Sequence, residues 1–294
     1  EEDEPPAPAP SGPPVRETTW RVAGREVRTV TGGEPPAVEG IPGAGVAALR
    51  VSPDATAMLR WLEDDPDALP RGEALLLELG AGHGLLGLAC AALRPRAALV
   101  LTDASPLLAF TERSLAANEA ALAARSAVRP LPFGDAAALD AVLEEFQQAA
   151  ADDGGSFGRE VVAVGAAICY WECVYVPLAE TLERLCSTGG RALLGYFKRD
   201  WKVERSFWTK LLPRHGLQAE VLWEGEVDEP DDMASCAPAC SRTTGGEWNA
   251  RVYSVQRAPA AAPANAAAAA GEWEWQPDPA YAAKKPQRKG KKGR

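Results

Sequence analysis

Five apolar runs of strand length, each followed by a segment of helix length, constrain this chain more than any other feature. The runs are ALLLEL (74–79), AALVL (97–101), AVRPL (127–131), VVAVGA (161–166) and RALLGYF (191–197). Between them lie GLLGLACAALR (84–94), PLLAFTERSLAANEAAL (106–122), AALDAVLEEFQQAA (137–150) and VPLAETLERLC (176–186). Strands buried on both faces read as unbroken apolar runs, and their alternation with helices is the pattern of a parallel sheet covered on both sides. A further helix, VERSFWTKLLPRH (203–215), precedes AEVLWE (219–224) and ARVYSVQR (250–257). With no helix between them, these last two runs predict a hairpin that puts one antiparallel strand into the sheet. The expected fold is α/β: a Rossmann-like, doubly wound seven-stranded sheet, mostly parallel, with one antiparallel strand near the C-terminus. Upstream, WRVAGREVRTV (20–30) alternates around a glycine turn and predicts a small N-terminal β-hairpin. TGGEPPAVEGIPGAG reads as loop, and SPDATAMLRWL (52–62) predicts a helix with Ser52 as N-cap and Pro53 in its first turn.

Where the first strand turns into its helix stands ELGAGHGLLGLA, with Gly80, Gly82, Gly84 and Gly87. Glycine permits the tight turn and the close approach of a ligand that this position needs. Gly82, Gly84 and Gly87 satisfy the dinucleotide spacing GxGxxG, so a nicotinamide cofactor stands as an alternative. Two features favour S-adenosylmethionine: Glu78 inside the strand, and the earlier spacing Gly80-x-Gly82-x-Gly84. That cofactor has no pyrophosphate but carries an ammonium and a sulfonium, which carboxylates beside the loop attract. Asp103 ends the second strand in VLTDASP, where a carboxylate accepts ribose hydroxyls; a helix N-cap is the ordinary alternative for it.

Taken in order, ELGAGHGLLGLA, VLTDASP, the asparagine of SLAANEAAL, LPFGD and GAAICYWECVYVPLAETL resemble the lysine-methyltransferase branch of the seven-strand, class I S-adenosylmethionine-dependent methyltransferases. The resemblance extends over about residues 18–257 and includes the hairpin around Gly24 and the late YFKR, SFWTKLL and RVYSVQR segments. It implies methyl transfer to a protein side chain, mostly a lysine amine. It further implies that Gly80, Ala81 and Gly82 line the methionine part of the cofactor, and Glu78 and Gly84 are candidate cofactor-binding residues beside them. Asp103 would hold the ribose, and the backbone of Ala166 would pass close to the cofactor. Phe133 stands where the family places an aromatic residue, usually tryptophan, against the adenine. Ser52 occupies a place where family members often carry tryptophan. The family's Asp-x-x-Tyr motif is here Ala167-Ile168-Cys169-Tyr170, with the tyrosine present and the aspartate absent. Tyr170 and Trp171 become candidates for the wall of the substrate channel, with ordinary packing as the alternative, and Glu172 becomes the candidate for the missing carboxylate. His83, a lone histidine in the glycine loop, is expected to face solvent or the cofactor rather than a metal. The competing readings are a catalytically weak or inactive binding module on the same fold, and methylation of a small molecule or nucleic acid.

Composition supports a folded core, with 46% hydrophobic and 24% charged residues. No apolar run approaches the roughly 20 residues needed to cross a bilayer, so no membrane association is expected. The opening EEDEPPAPAPSGPP is acidic and proline-rich, unlike a secretory signal. The six cysteines lack the density of a disulfide scaffold and read as reduced thiols in a cytoplasmic or nuclear protein. The pairs Cys169–Cys173 and Cys236–Cys240 could offer four thiolates to zinc, but the first pair flanks the methyltransferase-like motif and the expectation is no metal. The net charge is −10, yet the last eleven residues, KKPQRKGKKGR, carry seven positive charges. The remaining 24 basic residues face 41 acidic ones, a net −17 that disfavours nucleic acid everywhere except at the tail. The expected organisation is a disordered acidic flank (1–16), a methyltransferase domain (17–257) and an alanine-rich then basic tail (258–294), in a monomer acting on a protein substrate.

Overall fold

The computed structural model describes residues 14–122, 125–152, 160–169, 171–199, 201–227 and 249–259. The chain divides into two compact units, Glu1–Ala258 and Pro259–Arg294. Every described element belongs to the first. Tyr170, Cys236, Cys240 and the basic run 284–294 lie outside the described residues.

Seven strands form the main sheet: β3 (Leu75–Leu79), β4 (Ala98–Asp103), β5 (Ser126–Pro130), β6 (Val161–Ala166), β7 (Arg191–Phe197), β8 (Leu217–Gly225) and β9 (Ala250–Arg257). Their spatial order is β5-β4-β3-β6-β7-β9-β8. The pairings from β5 through β7 are parallel, and β9 runs antiparallel to both of its neighbours, β7 and β8. The sheet thus has seven strands with one reversed, as the alternating pattern and the helix-free final pair imply. The last strand of the chain enters between β7 and β8, leaving β8 at the edge. After β3 the chain builds outward to β4 and β5, then returns to lay β6 on the other side of β3. That reversal opens a crevice at the carboxyl ends of β3 and β6, where ligands bind in open α/β sheets.

β1 (Arg16–Val22) and β2 (Arg25–Thr31) form the separate N-terminal hairpin. Its turn, Ala23-Gly24, holds both residues at positive φ (47° and 77°), the requirement of a two-residue turn that follows strand twist. The hairpin docks sideways on helix α4 (Leu108–Asn118). Asn118 Oδ1 accepts from Arg28 N–H at 2.9 Å, its Nδ2 donates to Arg28 C=O at 2.6 Å, and Ser114 Oγ accepts from Val30 N–H at 2.9 Å. One side chain therefore serves β2 as a neighbouring strand would.

Leu76, Leu99, Leu101, Val162, Val164 and Leu193 share a core with the hairpin, helix α2 (Pro53–Asp64) and helix α3 (Leu85–Leu93). By the period of two, Leu75, Leu77, Val161 and Ala163 point to the other face of the sheet, and all are buried. Helix α6 (Glu172–Ser187) packs on β7, β9 and helix α5 (Ala136–Asp152). α6 begins four residues before the helical pattern that opens at Val176. Pro177 lies inside it, where the ring removes one hydrogen bond that the helix does without. The stretch read as loop before α2 contains a short helix, α1 (Ala44–Ala47). The late helical segment runs through α7 (Trp201–Ser206), a π-helical stretch at Phe207–Leu211 and α8 (Leu212–Arg214). Trp208 in the π stretch stacks on Tyr253 of β9 at 3.9 Å between ring centroids. Cys90, Cys169 and Cys186 are buried free thiols, and Cys173 is exposed. No helix among the described residues is long and apolar enough to cross a membrane.

Candidate functional site

The glycine turn is built by β3 and locked by β4. Gly80, Gly82 and Gly84 all have positive φ (66°, 54° and 81°), a region that L side chains rarely adopt. Ala81 N–H donates to Thr102 C=O at 2.9 Å, Thr102 Oγ1 donates to Glu78 C=O at 2.6 Å, and Thr111 Oγ1 donates to Gly82 C=O at 2.6 Å. A Cβ on Gly82 would meet the backbone of Ala48 at 3.1 Å, so the segment around α1 lies directly over the turn. A Cβ on Gly80 would meet Ile168 Cγ2 at 2.6 Å and Phe133 Cζ at 3.5 Å. The absence of side chains at these two positions therefore lets other parts of the chain close in on the turn.

Two carboxyls stand beside it. Asp103, at the end of β4 and 9% exposed, accepts from Gly82 N–H through Oδ2 and from Ala104 N–H through Oδ1, both at 2.7 Å. Each oxygen keeps a lone pair for a ligand hydroxyl. Burial pushes its pKa up to about 6, against the pull of those two donors. Glu78, 4% exposed, accepts from Gly87 N–H at 2.9 Å, and burial raises its pKa to about 8, with the Asp103 charge adding to the rise.

These groups line a cleft of about 850 Å³, counting its open mouth, with mostly apolar walls. Ser52, Glu78, Gly80, Ala81 and Gly82 line it, as do Asp103, Phe133, Ala166 and Trp171. The cleft brings together residues more than a hundred positions apart. Of the other residues singled out from sequence, Gly84 is the left-handed N-cap of α3 and bonds Ala81 C=O at 2.7 Å rather than lining the cleft. Glu172 is the first residue of α6 and also lies outside the lining. Tyr170 falls outside the described residues. Ser52 has its hydroxyl engaged as the α2 cap, accepting from Ala55 N–H at 3.1 Å.

The sequence reading missed one whole wall. Val38, Ile41, Ala44, Ala48 and Arg50 come from the stretch between the hairpin and α2. Low complexity in turn residues hid this strap, because its only signal is a sparse set of apolar residues without a period. His83 is 5% exposed and lines the cleft, so its side chain is withdrawn from solvent. Ala167, at the motif's aspartate position, lines the cleft with φ 57°, in the left-handed region where aspartate and asparagine are enriched among non-glycine residues. Among the described residues no group of three or more His, Cys, Asp or Glu is arranged to hold a metal.

The arrangement suits a nucleoside carrying a cationic amino-acid arm: one carboxyl with spare lone pairs at a strand end, an aromatic face from Phe133, and a second buried carboxyl next to the turn. Comparison with known proteins adds a family. Residues 48–213 match a family model described as lysine methyltransferase. No curated protein matches the sequence. Among solved structures, mitomycin 7-O-methyltransferase matches at 16% identity and TM-score 0.41, over 73% of this chain and 55% of that one. Human N-acetylserotonin methyltransferase in complex with S-adenosylmethionine matches at 13% identity and TM-score 0.37, over 70% and 56%. The 23S rRNA methyltransferase ErmE matches at 14% identity and TM-score 0.38, over 69% and 66%. The chain thus spans about half the length of the first two.

Proposed function

The chain belongs to the lysine methyltransferase family, and from that premise we propose that it transfers a methyl group from S-adenosylmethionine to a protein side chain, a lysine amine before any other. The observation that carries this reading is the glycine turn tied to Asp103 at the mouth of the β3–β6 crevice. Bound there, the cofactor supplies an electrophilic methyl carbon for in-line displacement. The chain's own residues then have three tasks. Asp103 would accept hydrogen bonds from the ribose hydroxyls, Phe133 would offer its face to the adenine, and the Gly80–Gly82 backbone would hold the methionine part. Trp171, which lines the cleft, walls the channel for the incoming side chain.

A lysine amine, with an ordinary pKa of about 10.4, must lose its proton before it can attack. Apolar walls favour the neutral amine by desolvation. Glu172, one position beyond Trp171 but outside the cleft lining, remains the candidate carboxylate in place of the motif aspartate only if it reaches that proton from the edge of the channel. A net charge of −17 outside the tail supports a protein over a nucleic-acid substrate.

Ala167 favours a second reading, a cofactor-binding module with little or no transferase activity, because no carboxylate stands at the motif position. Labelled cofactor incubated with lysate proteins, followed by mass spectrometry of labelled bands, separates the two. Methyl incorporation on lysine supports the enzyme. Cofactor binding without incorporation by the wild type, with incorporation gained in Ala167→Asp, supports the module. Absence of binding at millimolar cofactor overturns both.

A further inference from the structure

The strap that roofs the glycine turn hangs between two fixed posts. Upstream it leaves the hairpin, which Asn118 and Ser114 fasten to α4, and Arg113 Nη2 donates to Gly32 C=O at 3.3 Å. Downstream it enters α2, where the buried Asp54 carboxylate accepts from Phe197 N–H at 2.8 Å and from Arg199 Nη2 at 2.6 Å. A Cβ on Gly195 would meet Asp54 C=O at 2.5 Å, so this end of α2 lies flat on β7. Between the posts, among the described residues, the backbone-to-backbone hydrogen bonds of 38–50 run from the strap to itself, as from Ala44 N–H to Ile41 C=O and from Arg50 N–H to Ala47 C=O. Gly40 and Gly43 hold positive φ (75° and 85°) with open space where a Cβ would stand. Loop positions of this kind absorb the rotation of a moving segment.

The His83 side chain crosses from the turn to the strap. Its Nδ1 accepts from Leu85 N–H at 3.3 Å. Burial pushes its pKa down to about 4, so at pH 7 the ring is neutral and its proton sits on the other nitrogen, Nε2. Nε2 is buried, and the ring's bond to the Arg50 backbone favours the protonated form, which identifies the carbonyl as its acceptor. Beside this bond the Ala48 backbone lies 3.1 Å from the Cβ position of Gly82, and Val38, Ile41 and Ala44 line the cleft. A ligand end that follows the Gly80–Gly82 backbone therefore lies beneath the strap. The bond from His83 to Arg50 joins protein to protein in the closed form, with or without a ligand below. It raises the barrier to entry and to exit together and leaves the equilibrium between them unchanged.

Resting on the methyltransferase reading, we propose that the strap 32–51 is a gate over the cofactor cleft. His83 is the positioning residue that latches it shut through Arg50, and it sets how fast the cofactor enters and leaves rather than how tightly it is held.

Stopped-flow mixing with S-adenosylhomocysteine, read by tryptophan fluorescence to which Trp171 in the cleft wall contributes, tests this. In His83→Asn the short amide oxygen keeps an acceptor for Leu85 N–H, while the donor that spans to Arg50 is lost. The expected result is association and dissociation rates both raised about ten-fold, the size of one buried hydrogen bond, with Kd within about three-fold of wild type. Loss of a direct contact with the ligand would instead speed dissociation and leave association nearly as it was. Faster dissociation alone, or no change in either rate, overturns the proposal while leaving the methyltransferase reading intact. Absence of S-adenosylhomocysteine binding by the wild type overturns that reading and this proposal with it. A measurement on the wild type covers the case of a variant that does not fold. Its observed binding rate is expected to level off with rising S-adenosylhomocysteine concentration, at the rate of gate opening. A rate that climbs linearly throughout shows a cleft already open and overturns the proposal.

Discussion

Glu78 keeps a carboxyl where burial opposes its ionisation, and this ties folding to pH. The folded protein holds that proton up to about pH 8, whereas a glutamate in the unfolded chain releases it near 4.5. The stabilising influence is therefore complete below about pH 4.5 and is lost as pH rises towards 8. Glu78→Gln keeps an acceptor for Gly87 N–H and removes the titration. Between pH 5 and 8, urea unfolding is expected to show the variant gaining roughly 2–4 kcal/mol on wild type, at up to about 1.4 kcal/mol per pH unit. Parallel pH profiles for the two proteins would contradict the assignment. Gly87, like Gly80 and Gly82, is a position whose identity is dictated by space. A Cβ there would meet Leu101 Cδ2 at 2.4 Å and Glu78 Oε2 at 2.6 Å. Gly87→Ala is expected to cost about 1–3 kcal/mol through overpacking, read as a lower urea midpoint with unchanged slope.

At the scale of elements, local signals and distant contacts divide cleanly. Ser52 and Pro53 mark the start of α2 in the sequence, because capping involves atoms three residues apart. The structure has Ser52 Oγ on Ala55 N–H as that signal requires. The strands are equally legible, since a strand buried on both faces must be apolar throughout. β8 is longer than its apolar run suggests because its pairing with β9, bulged between Val221 and Trp223, extends it to Leu217 and Gly225. The π-helical turn at Phe207–Leu211 has no sequence signature of its own. Asn118 illustrates the same limit: its position on α4 is plain, but its partner is 90 residues upstream on β2. Asn118→Ala is expected to cost about 2–3 kcal/mol, because it removes three hydrogen bonds and leaves buried backbone groups unpaired. Amide exchange across 16–31 should accelerate more than exchange in β3 or β6. Uniform acceleration would place the loss in global stability rather than in hairpin docking.

Across the whole molecule, the cleft couples to folding through mass action. A ligand at 100 times its Kd adds about 2.7 kcal/mol. At about 2–4 °C per kcal/mol for a domain of this size, S-adenosylmethionine is expected to raise the thermal midpoint by roughly 5–10 °C. Asp103 and Glu78 ionise near pH 6 and 8 in the free protein, and a cationic ligand favours their charged forms. Affinity for S-adenosylmethionine should therefore strengthen as pH rises from 6 to 8, and a midpoint shift that shrinks over this range would place the cation elsewhere.

The sequence by itself determined the order of strands and helices, the capped start of α2 and the glycine turn followed by Asp103. Each of these is written in periodicity or in the steric needs of residues close together along the chain. Only the tertiary structure decided that the strap around α1 roofs the turn, that Gly84 and Glu172 stand outside the cleft while Arg50 lines it, and that the His83 ring is buried. Those facts depend on which surfaces meet when β6 folds back beside β3, and no local pattern encodes the burial of a polar atom by residues that arrive from elsewhere in the chain.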